Sequence, residues 1–261
     1  MYLVSKHNAM GFQLQLLLQL MLYLSLDQLL CAEIDERIVG GTSVTEKKYD
    51  YFVRLRYQGV FLCGGSLVRN NAVVTAAHCV NDVRVKDLRI HADTINLKDK
   101  GIVRRVKTVV IPSLYNERTT NYDVAVLILA ATVPNANFTA IQLHKTPVAV
   151  GTKCLVIGHG MTNDKEQDST QLQEVWVPVL SRAVCQLMYL RVTRITRYMM
   201  CAADAGKDSC SGDSGGPMVC NGKLAGIVSF GVECADPRYP GVYTDISSVY
   251  SFIESTLEKY K

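Results

Sequence analysis

The amino-acid sequence predicts an all-β fold, a barrel or a sandwich, finished by one C-terminal helix. Short β-branched runs separated by turn residues follow one another along most of the chain. Near the end the period changes, with Ile246, Val249, Tyr250, Phe252, Ile253, Leu257 and Tyr260 recurring at helical spacing, as in an amphipathic helix packed on the body. The 261 residues and 48% apolar content suffice for one large core or two smaller ones. Nothing in the composition suggests a disordered or fibrous chain, and there is no internal repeat or low-complexity tract.

Taken in order, Gly11–Leu26 is rich in leucine and follows Lys6 and His7, the pattern of a secretory signal peptide over residues 1–32, cleaved near Ala32. Interrupted by Gln13, Gln15 and Gln19, its sixteen residues are short and polar for a membrane span of about twenty apolar residues. An uncleaved anchor is the alternative. Strands are expected at Tyr51–Tyr57, Val73–Ala76, Ile102–Ile111, Val124–Leu129, Cys154–Gly158, Glu174–Leu180, Pro217–Val219, Leu224–Phe230 and Gly241–Thr244.

Lysine and arginine number 28 against 24 aspartates and glutamates, and the balance is 26 to 20 once residues 1–37 are set aside. This mild, dispersed excess argues against a nucleic-acid partner, and Arg104-Arg105 and Lys47-Lys48 read as solvated faces. Of nine cysteines, Cys31 would leave with the signal peptide, and the remaining eight form an even set suited to disulfides in an oxidising compartment. No Cys-x-x-Cys pair occurs, which argues against zinc, and spacing leaves the disulfide pairing open. Asn137-Phe138-Thr139 is a glycosylation sequon in an expected surface linker.

The stretch Asp208-Ser209-Cys210-Ser211-Gly212-Asp213-Ser214-Gly215-Gly216-Pro217 concentrates chemistry. A serine hydroxyl is a poor nucleophile near neutral pH and needs a base to take its proton and an oriented acid to hold that base. Thr75-Ala76-Ala77-His78-Cys79 offers the base, and Asn121-Tyr122-Asp123 at the head of an apolar run offers the acid. The chain order His, Asp, Ser differs from that of subtilisin and of the α/β-hydrolases, so Gly212–Gly216 is not a hydrolase nucleophile elbow.

With Arg37-Ile38-Val39-Gly40-Gly41 these blocks, matched in order, make the chain from Ile38 to its end resemble a trypsin-like serine protease of the chymotrypsin family. The resemblance implies two packed antiparallel β-barrels, about 38–140 and 141–245, with the C-terminal helix and an active site in the cleft between them. It implies His78, Asp123 and Ser214 as catalytic residues, and the backbone N–H groups of Gly212 and Ser214 as an oxyanion hole. Asp208 would be the base of a substrate pocket selecting arginine or lysine, with Ser229, Gly231 and Gly241 along its walls. Cleavage after Arg37 would release a five-residue peptide, residues 33–37, and free the Ile38 amine to pair with Asp213, switching on a zymogen. The implied disulfides are Cys63–Cys79, Cys154–Cys220, Cys185–Cys201 and Cys210–Cys234.

Four positions depart from the family pattern: Phe230 and His159 stand where tryptophan is usual, Glu233 where a pocket-rim glycine is usual, and Ser211 where a longer side chain often precedes the oxyanion glycine. Glu233 is expected to add negative charge at the pocket mouth. The loop Asp93–Gly101 carries lysines rather than paired glutamates, so neither a metal nor any other cofactor is expected. The expected function is a secreted, monomeric endopeptidase acting on proteins and peptides after arginine or lysine. Its expected partners are those substrates, protein inhibitors and an activating protease, this enzyme itself included, with no membrane contact after signal removal. A protease-like binding protein that has lost catalysis is the competing reading, against which the intact His78, Asp123 and Ser214 speak.

Overall fold

In the computed structural model the described residues are 41–134, 138–160, 169–204, 212–232 and 238–261. They form two closed six-stranded antiparallel barrels, as expected. The first barrel is built from β2 (Phe52–Tyr57), β3 (Val60–Arg69), β4 (Ala72–Thr75), β5 (Leu88–Ala92), β6 (Ile102–Val110) and β7 (Ala125–Leu129), and closes in the order β2-β3-β4-β7-β6-β5. The second uses β8 (Lys153–Gly158), β9 (Gln173–Leu180), β10 (Met199–Ala202), β11 (Pro217–Cys220), β12 (Lys223–Phe230) and β13 (Gly241–Asp245), closed by pairing of β8 with β9. The short strand β1 (Thr42–Ser43) pairs with β9, which ties the start of the described chain to the second barrel.

Alternation explains the closure. Along β5 the pattern Leu88, Ile90, Ala92 faces inward, fully buried, while Arg89 and His91 face outward. Leu55, Leu67, Val73 and Leu127 meet those inward residues in the first core, and Val156, Val177, Met218 and Tyr243 lie in the second. Four strands were not anticipated: β1, β3, β5 and β10. In β3 the pair Gly64-Gly65 reads as a break, yet both glycines are demanded by packing. A Cβ on Gly64 would lie 2.9 Å from Gly216 Cα, and one on Gly65 2.9 Å from Val73 Cγ1.

The helix α1 (Arg182–Met188), also unanticipated, starts where the Ser181 hydroxyl accepts from Val184 N–H, and it buries only Cys185, which is bonded to Cys201. The predicted C-terminal helix is α2 (Ile246–Lys259). Asp245 caps it by accepting from Ser247 N–H at 2.9 Å, and Ile246, Val249, Ile253 and Leu257 turn one apolar stripe onto the first core. Arg69 at the end of β3 fastens the far end, donating to Leu257 O at 2.6 Å and pairing with Glu258 at 3.0 Å. Among the described residues no helix is long and apolar enough to cross a membrane.

Candidate active site

His78 and Asp123 reach the same place from opposite ends of paired strands. β4 ends at Thr75, β7 begins at Ala125, and Thr75 faces Ala125 in the register. The small, fully buried Ala76 and Ala77 then let the chain pass close beneath and turn out at His78. Cys79 is bonded to Cys63 of β3, which anchors that turn. The Asp123 carboxylate is 0% exposed, so it needs donors on all sides. His78 supplies two, its backbone N–H to Oδ1 at 2.9 Å and its Nδ1 to Oδ2 at 2.8 Å. With the carboxylate accepting at Nδ1, the ring carries its proton there and leaves the Nε2 lone pair for proton abstraction.

The third donor comes from the second barrel. Ser229 Oγ donates to Asp123 Oδ2 at 2.5 Å, and Thr244 Oγ1 donates to Asp123 O at 2.7 Å. Ser229 lies at a β-bulge: the register of β12 with β13 shifts between Val228 and Phe230, so Ser229 has no opposing residue and its side chain is re-aimed toward the cleft. Sequence reasoning placed Ser229 on the pocket wall and missed this contact. A serine between the apolar Val228 and Phe230 is the only signal the sequence offers.

Ser214 is held against the same turn. Its carbonyl accepts from Gly64 N–H at 2.8 Å, and Gly64 adjoins the bridged Cys63. Gly215, at φ +74°, runs so close to the first barrel that a Cβ there would lie 2.2 Å from Thr75 Oγ1, 2.6 Å from Gly64 O and 3.2 Å from Cys79 Sγ. Cys79 Sγ in turn lies 3.6 Å from His78 Nε2. Gly212 takes φ +96°, a conformation that an L side chain disfavours, so the turn leading to Ser214 requires a glycine.

Asp213 is wholly buried. Gly160 N–H donates to its Oδ1 at 2.7 Å, and Cβ atoms on Gly158 or Gly160 would fall 1.9 Å and 2.3 Å from its carboxylate oxygens. The sequence Gly158-His159-Gly160 is therefore a cradle cut to that carboxylate. Between the two glycines the His159 ring is 0% exposed, packed near Phe52 and Phe61, its Nδ1 bonded to Ser169 O at 3.0 Å and its Nε2 without a partner among the described residues. Burial pushes this imidazole down to about 3, and the charges of Arg54 and Arg56 add to the shift against the opposing hydrogen bond from Ser169.

Of the expected pocket walls, Ser229 lies one residue before the end of β12, Gly231 directly follows that strand, and Gly241 opens β13. Three of the expected disulfides are present, Cys63–Cys79, Cys154–Cys220 and Cys185–Cys201. Arg37, Ile38, Asn137, Asp208, Cys210, Ser211, Glu233 and Cys234 lie outside the described residues. Cys63, His78 and Cys79 offer nitrogen and sulfur atoms within 4.8 Å of one another, but the two sulfurs are bonded to each other and are not metal ligands.

A buried carboxylate orienting a histidine, beside a glycine-shaped turn that carries a serine, between two β-barrels, defines a serine protease site. The trypsin family model matches residues 38–253. Seminase of Drosophila melanogaster is 40% identical over 221 residues, covering 83% of this chain and 80% of that one. Serine protease 1 of Homo sapiens is 38% identical over 227 residues, covering 85% and 90%. Among solved structures, neuropsin, a serine protease expressed in the limbic system of mouse brain, superposes with a TM-score of 0.77 at 29% identity, covering 83% of this chain and 98% of that one. The chain belongs to the trypsin family of serine proteases.

Proposed function

We propose that this chain is a secreted endopeptidase, made as a zymogen, that hydrolyses peptide bonds after arginine or lysine. The observation that carries the catalytic part is the buried Asp123 gripping His78 through two hydrogen bonds beside the Ser214 turn. His78 Nε2 takes the proton of Ser214 as its oxygen attacks the substrate carbonyl, Asp123 stabilises the resulting imidazolium, and the N–H groups of Gly212 and Ser214 receive the developing oxyanion. His78 then returns the proton to the leaving amine, freeing it and leaving an acyl-serine. Water repeats the cycle to release the acid.

The specificity part rests on Asp208, six residues before Ser214. A carboxylate at the base of the pocket would leave a buried charge unpaired under an apolar side chain, and so favour a cationic one. The zymogen part rests on Arg37-Ile38 and on the Asp213 cradle. An amine freed at Ile38 would pair with Asp213, and breaking one side of such a buried pair costs about 3 to 5 kcal/mol, enough to order or disorder the neighbouring turn. Secretion rests on residues 1–32 and agrees with the three disulfides.

The test is kcat/KM of the chain cut after Arg37, on peptides that differ only in the residue before the scissile bond, with Ser214→Ala as control. Preference for arginine and lysine over phenylalanine and alanine, lost in the control, supports the whole reading. Equal turnover of all four would keep the catalytic part and remove the Asp208 pocket.

A further inference from the structure

The short helix α1 and the turn that leaves it carry apolar side chains on the side where a surface helix ordinarily carries polar ones. The inner side gives Cys185 and, four residues on, Tyr189 to a small core with Ile195, Met199, Cys201 and Val242. On the other side stand Val184, Leu187 and, at the same three-residue step, Leu190, which are 47%, 71% and 69% exposed, and Val192 follows at 50%. The polar Gln186 is turned instead to the departing chain, accepting from Ile195 N–H at 2.8 Å and donating to Thr193 O at 3.3 Å.

This apolar edge is pinned in place. Ser181 caps the helix, Cys185 is bonded to Cys201, and Tyr189 Oη donates to Pro240 O at 2.8 Å. Four exposed arginines accompany it: Arg182 opens the helix, Arg191 sits between Leu190 and Val192, and Arg194 and Arg197 follow. Arg182 reaches Arg197 O at 3.5 Å, and Arg197 donates to Tyr198 Oη at 2.6 Å. Among the described residues none of the four forms an ion pair with a carboxylate. From Val175 to Ala203 the chain has these four arginines and no acid. Of the described acids that adjoin this segment, Glu174 pairs with Lys48 at 2.8 Å, Asp204 lies just beyond its end, and Asp245, bonded through its N–H to Tyr198 O, caps α2.

We propose that α1 and residues 190–192 dock the protein on a lipid bilayer surface bearing anionic headgroups, with Val184, Leu187, Leu190 and Val192 entering the boundary between headgroups and acyl chains. The contact lies in the plane of the surface and crosses nothing. Arginines flanking the apolar residues keep their stems in that boundary and their guanidinium groups at the phosphates. Side chains as exposed as Leu187 and Leu190 project from the surface rather than line a groove, which suits a yielding bilayer better than a peptide seeking a groove. In a two-fold contact with a second copy the patch would meet itself and set arginines against arginines. A sulfated glycan would satisfy the arginines and leave the leucines in water. The proposal revises the expectation of no membrane contact after signal removal.

The test is flotation of the chain with vesicles of phosphatidylcholine containing about one-third phosphatidylglycerol. The chain carries Ser214→Ala and is cut after Arg37, which frees it of the leucine-rich leader. The comparisons are Leu187→Gln with Leu190→Gln, and Arg191→Gln with Arg194→Gln, the second pair carrying the test alone should the first impair folding. The proposal is supported by binding that is about tenfold or more weaker in either double variant, and weaker by a similar factor on phosphatidylcholine alone. Turnover of a short soluble peptide by the same variants with Ser214 retained should be unchanged. No vesicle binding by the parent chain, equal binding by parent and variants, or binding of soluble heparin without vesicles overturns it. Self-association that the leucine pair abolishes, without vesicle binding, overturns it in favour of a second copy.

Discussion

Replacing His159 by phenylalanine should remove an acid-labile element beside the Asp213 cradle. In the native fold the imidazole is wholly buried against Phe52 and Phe61, with Ser169 O on Nδ1, the Arg54 and Arg56 charges nearby, and the Asp213 carboxylate held by the glycines on either side of it. Its titration lies near about 3 in the folded protein, against about 6.5 for an unfolded histidine. A base whose folded value is depressed takes up a proton more readily when unfolded. Its contribution is therefore full above about pH 6.5 and is lost as pH falls toward about 3, at about 1.4 kcal/mol per unit. Between pH 7.5 and pH 4.5 the parent protein should lose roughly 2 to 3 kcal/mol that His159→Phe does not lose. At pH 7.5 the variant should lie within about 1 kcal/mol of the parent, because the lost bond to Ser169 is offset by removal of Nε2, which has no partner among the described residues. The assay is urea unfolding at both pH values in a Ser214→Ala background, which prevents self-digestion. Equal losses in the two proteins would refute the reasoning.

Ser229→Ala removes the bulge-borne donor to Asp123 and should lower kcat about tenfold or more with little change in KM, measured on a short peptide substrate. Gly160→Ala would drive a Cβ to 2.3 Å from Asp213 Oδ2. It should cost about 1 to 3 kcal/mol of stability in urea unfolding and reduce the activity of the cut chain. Removing the Cys63–Cys79 bridge by alanine at both positions opens a sequence separation of 16. This should cost about 3 kcal/mol in the same unfolding assay.

The legible parts of the fold were those in which one physical signal dominated. β7 and β8 are nearly continuous apolar runs, and α2 shows its stripe at helical spacing. β3 was hidden because Gly64 and Gly65 answer to tertiary crowding against Gly216 and Val73, which local propensity does not contain. β5 was hidden because its outward residues are Arg89 and His91, polar members of a face that becomes visible only in register. At the site, His78, Asp123 and Ser214 stand in recognisable blocks. The Ser229 contact depends on a bulge, a property of two strands together, and the role of Gly158 and Gly160 depends on where Asp213 is buried.

Covalent labelling by a fluorophosphonate probe tests the central claim most directly, because an activated serine oxygen attacks the phosphorus and expels fluoride. The full chain, the chain cut after Arg37, and the cut chain carrying His78→Ala would be treated alike and the modified residue located by mass spectrometry. The account predicts rapid labelling at Ser214 in the cut chain, slow labelling in the uncut chain, and little in His78→Ala. A cut, folded chain that remains unlabelled at Ser214 would contradict it.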